Sequence, residues 1–78
     1  MADLAEVRRL LEEALPGSRV VVTDLTGGGD HLSVVVTAAQ FEGLGLIDQH
    51  RMIHAALKLK MAPVSDEIHA LQIKTQLP

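Results

Sequence analysis

Apolar residues recur at a helical interval from the start of the chain: Leu4, Val7, Leu10, Leu11 and Ala14 share one side, opposite Arg8, Arg9, Glu12 and Glu13. Asp3-Leu4-Ala5-Glu6 predicts a capping box, in which Asp3 accepts from the amide of Glu6 and the Glu6 carboxylate reaches back. Glu12 and Glu13 follow Arg8 and Arg9 by four residues, a spacing for weak ion pairs on a solvated face. Pro16-Gly17 ends the helix. The pattern then changes. Val20-Val21-Val22, within residues 18–25, and Val34-Val35-Val36, within residues 32–38, are β-branched runs joined by a glycine-rich segment, which predicts a hairpin. Three consecutive glycines in Thr26-Gly27-Gly28-Gly29-Asp30-His31 predict a mobile loop carrying His31 beside a sheet edge.

Leu46, Ile47, Ile53, Ala56, Leu57 and Met61 make one broad apolar stripe and predict a second helix from Leu46 to about Met61. Pro63 breaks that pattern, Ser65-Asp66 mark a turn, and a short extra helical turn is expected around residues 59–66. Residues 67–75 alternate as a third strand, with Ile68, Ala70 and Gln72 toward one face and His69, Leu71 and Ile73 toward the other. The order is α-β-β-α-β. The simplest α+β architecture for it is a three-stranded mixed sheet with helices on one face.

Composition narrows the picture. Seventy-eight residues make one domain, of a size at which burying a core is marginal. Hydrophobic residues are 47% of the chain, yet Phe41 is the single aromatic, so the core must be aliphatic. No apolar run approaches the ~18 residues of a membrane span, and the acidic start lacks a signal peptide's basic, apolar character. The absence of cysteine fits a reducing compartment, and a cytoplasmic setting is expected. A net charge of −3 argues against broad binding to phosphate backbones.

Candidate chemistry rests on four histidines. His50 and His54 are one helical turn apart and could grip a metal together. No glutamate follows His50 as in a zinc protease, and no third ligand is evident, so His50 is read as tying the helix to the preceding loop and His54 as solvated. His69 alternates with aliphatics, where a buried ring needs a polar partner. His31 and His69 flank one surface if the hairpin loop and the start of the third strand share an end; spacing leaves a shared site and two unrelated histidines both open. No serine has a nucleophile-elbow context, so catalysis by this chain alone is not expected. The glycine loop has neither the dinucleotide nor the Walker spacing.

Phe41-Glu42-Gly43, Gln49-His50-Arg51-Met52-Ile53-His54-Ala55-Ala56-Leu57 and Ile68-His69-Ala70-Leu71-Gln72-Ile73-Lys74-Thr75 together resemble the BolA family signature. That signature is roughly Phe-x-Gly, five residues, Arg-His-Arg-hydrophobic, and later hydrophobic-His-Ala-Leu. The resemblance covers nearly the whole chain, a single BolA-like domain over residues 1–78, and implies a fold similar to a type II KH domain. It also implies pairing with a monothiol glutaredoxin around a bridging [2Fe–2S] cluster, shared with glutathione, in iron–sulfur trafficking and iron regulation. The family's late histidine ligand maps onto His69. The loop position that carries histidine or cysteine maps onto His31, making this the histidine type. A chain without cysteine cannot hold such a cluster alone but could donate imidazole nitrogen to it.

Two departures remove positive charge at the loop–helix junction: Gln49 stands where the family usually has arginine, and Leu44-Gly45 replace a more polar pair. They count against the alternative of a KH-like nucleic-acid-binding transcriptional regulator, with Arg51, Lys58, Lys60 and Lys74 as phosphate contacts. Gly43-Leu44-Gly45 also lacks the Gly-x-x-Gly spacing of KH loops. The leading expectation is a non-enzymatic adaptor using His69, then His31, as metal ligands, with His50, Phe41 and Gly43 structural. Weak DNA binding, a homodimer, and a structural domain with incidental histidines stand behind it; no membrane partner is expected.

Overall fold

The structure is a computed structural model that describes residues 3–61 and 67–78. Two helices, α1 (Leu4–Ala14) and α2 (Leu46–Leu57), cover one face of a sheet built from β1 (Arg19–Asp24), β2 (His31–Thr37) and β3 (Ala70–Gln76). Short 3₁₀ turns lie at Ala39–Phe41 and Lys58–Lys60. Strand β2 is central, antiparallel to β1 and parallel to β3. This is the expected α+β order. The second helix is shorter than its pattern suggested, because after Leu57 the chain tightens into the 3₁₀ turn. The extra turn expected around residues 59–66 is represented by Lys58–Lys60, and its remainder lies largely outside the described residues.

The faces follow the period of two. Leu32, Val34 and Val36 of β2 are buried and sit opposite Leu71, Ile73 and Thr75 of β3. Val20 and Val22 meet Val36 and Val34 from β1. Onto this surface α1 sets Val7 and Leu11, α2 sets Ile53 and Leu57, and Phe41 fills the corner. The core is aliphatic apart from Phe41, and burial of that area is the main stabilising term.

Four local expectations are corrected. Asp3 caps α1 through the amides of Ala5 (2.9 Å) and Glu6 (3.4 Å), but the Glu6 carboxylate turns away to Lys60 (3.3 Å) and Arg9 (3.8 Å). An ammonium partner replaces the return half of the box. Leu46 and Ile47 are exposed rather than part of the buried stripe. One turn before Ile53 the stripe is filled by Gln49, and Leu46 lies a turn beyond that last contact with the sheet. Ile68 is buried on the helix side with Leu71, although alternation assigns them opposite faces. The reason is a bend at His69, so that the strand proper starts at Ala70.

Fourth, the tie between the helix start and its loop is made by Gln49, not His50. The Gln49 amide nitrogen donates to the Leu44 carbonyl (2.8 Å), and its oxygen accepts from the Thr75 hydroxyl of β3. His50 is half-buried, with no side-chain hydrogen bond among the described residues. The turn before it depends on Phe41, whose carbonyl accepts from the Leu44 amide (3.0 Å), and on Gly43 at φ +80°, where a side chain is strained. Gln49→Ala should therefore destabilise the fold by roughly 1–2 kcal/mol, since it also leaves the Thr75 hydroxyl unpaired. His50→Ala should stay within about 0.5 kcal/mol. Urea midpoints of the two variants check both figures, and a larger loss for His50→Ala would restore the sequence expectation.

Candidate functional site

The glycine loop is ordered around a residue that the sequence pattern does not single out. Asp24, the last residue of β1, accepts the amides of Thr26 (3.2 Å) and Gly27 (2.9 Å) on one carboxylate oxygen and that of Gly29 (2.9 Å) on the other. Gly27 and Gly29 adopt φ +81° and +75°, which lets their amides turn inward at no steric cost. The Leu25 amide donates to the His31 carbonyl (2.8 Å) and closes the hairpin. A loop expected to be loose is thus held by one carboxylate, in the manner of an extended Asx turn. An aspartate shortly before a Thr-Gly run was the available signal.

This closure makes His31 the first residue of the central strand rather than a rider on a loop at a sheet edge. Parallel register then sets His31 opposite Ala70. The Asp30 carbonyl accepts from the amides of both His69 (2.7 Å) and Ala70 (3.2 Å), which bends the chain at His69 and turns its ring out of the core. The two imidazoles meet edge to face, with centroids 6.2 Å apart and planes at 81°. The Asp30 carboxylate lies against both: Oδ1 is 3.0 Å from His31 Nδ1, and Oδ2 is 3.5 Å from His69 Nδ1. The histidine side chains are 43% and 52% exposed and Asp30 31%, so a partner can reach the rings while the carboxylate stays more sheltered.

The other expected site residues do not join this cluster. His54 is exposed, and among the described residues no three His, Cys, Asp or Glu side chains are grouped so as to hold a metal ion by themselves. The basic residues considered as phosphate contacts are dispersed. Lys60, 19% exposed, is clamped between Glu6 (3.3 Å) and Glu67 (3.4 Å) and is not a free cation. Arg51 is exposed, 3.7 Å from Asp48. Lys58 is exposed in the helical layer, whereas Lys74 stands on the sheet face turned away from the helices. No described helix is long and apolar enough to cross a membrane.

Comparison with known proteins bears on the fold and the family. The profile of the family described as BolA-like protein matches residues 9–78. An uncharacterised protein of Rickettsia prowazekii is 36% identical over 70 residues, covering 90% of this chain and 87% of that one. Protein BOLA2 of Arabidopsis thaliana is 40% identical over 75 residues, covering 95% and 76%. Among solved structures, a bolA protein homologue from Coxiella burnetii superposes with a TM-score of 0.78 at 32% identity, covering 100% and 94% of the two chains.

The hydrogen bond to His31 is the largest cause holding the Asp30 carboxyl below its ordinary value of 3.8, with desolvation opposing it and the charges of His31 and His69 adding to it. A depressed carboxylate contributes stability above the unfolded-state value and loses it as pH falls through the lower folded value. Asp30→Asn should therefore have a lower urea midpoint than the wild type at pH 6, and the gap should close below pH 3.8. A gap that persists unchanged in acid would show that the ionised form of the Asp30 carboxyl is not what stabilises the fold.

Proposed function

The chain belongs to the BolA-like protein family, and on that premise we propose that it is a non-enzymatic adaptor that pairs with a monothiol glutaredoxin and shares a [2Fe–2S] cluster with it. The observation that carries this reading is the meeting of His31 and His69, from opposite halves of the chain, at 6.2 Å and half-exposed. Two imidazoles suit the group. Nitrogen can replace thiolate on one iron of such a cluster, and the substitution raises its reduction potential. With no cysteine of its own, the chain leaves the thiolates to the partner's cysteine and glutathione.

His69 is the primary donor in this reading. It lies outside the regular strand and is the more exposed ring, whereas His31 is fastened at the start of β2 and supports it as the second donor. The work of the chain is to change the cluster's ligation, and with it the cluster's potential and lability, in iron–sulfur trafficking or iron regulation in a reducing, cytoplasmic setting. A KH-like nucleic-acid regulator has less support, because Lys60 is occupied by Glu6 and Glu67 and Lys74 faces away from the helical layer.

Two measurements test the proposal. Adding the protein to a glutaredoxin-held [2Fe–2S] cluster should change its visible circular dichroism as nitrogen replaces sulfur. His69→Ala should abolish most of that change and His54→Ala should leave it, so equal spectra for wild type and His69→Ala would remove the ligand assignment. In anisotropy titrations the metal-free protein should bind generic duplex DNA more weakly than ~10 μM at physiological salt, within the range of non-specific association. Sub-micromolar, sequence-selective binding would promote the nucleic-acid reading instead.

A further inference from the structure

A neutral imidazole has one N–H and one bare nitrogen, and only the bare nitrogen binds a metal. Which nitrogen is bare depends on what faces the other. Here both Nδ1 atoms face the same carboxylate, one on each oxygen, at 3.0 Å from His31 and 3.5 Å from His69. An ionised carboxylate is an acceptor only, so the ring nitrogen against it is the one that carries hydrogen.

Asp30 is itself well placed to make that choice. Its carbonyl holds the amides of His69 and Ala70, and its Oδ1 also accepts from the Thr26 hydroxyl at 3.4 Å. The backbone contact sets where His69 stands, and the side chain sets which way both rings present their nitrogens. Thr26 belongs to the loop that Asp24 orders, so the carboxylate is held from the loop as well as from the strand end.

We propose that Asp30 is the positioning residue of the imidazole pair: its carboxylate holds Nδ1 of His31 and of His69 and presents both Nε2 atoms outward as the donor nitrogens. This rests on the cluster-sharing reading for its purpose, though the positioning is a property of the metal-free chain. The two contacts are unequal. At 3.0 Å the His31 contact is a full hydrogen bond, whereas 3.5 Å to His69 is electrostatic orientation with weaker bonding. His31 is thereby locked, and His69 keeps the freedom to swing toward a partner. A carboxylate behind a ligating histidine is a recurrent arrangement in metal sites; here one carboxylate serves two rings.

The test starts without metal. Long-range proton–nitrogen correlation spectra of the ¹⁵N-labelled protein, at a pH where the rings are neutral, report the tautomer of each histidine. His31 should carry hydrogen on Nδ1 with Nε2 bare, and His69 should lean the same way less completely. Exposed His54 should remain in the Nε2–H form usual for free imidazole. Asp30→Ala, which leaves the backbone contacts in place, should return His31 and His69 toward the His54 pattern. Asp30→Asn keeps the shape without the charge and should fall between; it also serves if the alanine variant fails to fold. With the glutaredoxin-held cluster added, Asp30→Ala should need roughly 10–100-fold more protein to reach the same dichroism, in line with other substitutions behind a metal ligand.

Wild-type His31 in the Nε2–H form, or tautomers unmoved in both variants, would overturn the proposal. The two readings separate cleanly. Tautomers that move as expected beside a cluster spectrum indifferent to His69→Ala would keep the role of Asp30 and end the cluster reading. Unmoved tautomers beside a His69-dependent spectrum would end the role of Asp30 alone.

Discussion

Parallel strands cannot be joined by a tight turn, so the chain between β2 and β3 has to leave the sheet and return, which it does through α2. Where it returns decides the rest. Leu32, Val34 and Val36 must face the helices, and their register partners Leu71, Ile73 and Thr75 share that requirement. A slip of one residue would turn Leu71 and Ile73 out of the core, so the register is strongly specified by burial. Once it is set, the first residue of β2 and the residue just before β3 are neighbours, and both are histidine. The site is a by-product of core packing along the sheet, finished by the Asp30 carbonyl at its end.

Much of this was legible from the chain. The valine runs, the helical stripe of Leu4, Val7 and Leu11, and the stop at Pro16-Gly17 each state a local preference that the tertiary structure keeps. What escaped depends on contacts between distant residues. Glu6 has a local partner in the Asp3 amide, and only the fold brings Lys60 close enough to draw it away. Period-two reading sends Ile68 and Leu71 to opposite faces, and only the Asp30 carbonyl shows why the chain bends between them. His50 carries the more noticeable side chain, yet Gln49 has both a donor and an acceptor, and its two partners lie in opposite directions. For the histidines, alternation named His69 and the glycine-rich segment named His31, but neither could say that they meet.

Among the described residues, three carboxylates near the site have separate roles, Asp24 ordering the loop, Asp30 facing the rings, and Glu67 helping to hold Lys60 where the chain approaches Ile68. The exposed ion pairs of α1, Arg8 with Glu12 and Arg9 with Glu13, are worth little by comparison, since water screens them and long side chains must be ordered to make them. Stability is concentrated in the aliphatic core, and the polar residues near the sheet end fix geometry.

Among the described residues strand β3 is an edge, with β2 as its one partner strand. His31 belongs to the centre of the sheet and His69 to the chain entering its rim, so the two rings stay together only while that rim is seated. Edge elements sample local opening at lower free energy than central ones. The separation of the imidazoles is therefore a readout of whether the last strand is docked, and anything that binds both rings at once also clasps the sheet shut. A ligand that held both rings would therefore make recognition and local folding one equilibrium at this end of the molecule, its affinity rising and falling with the seating of a single strand.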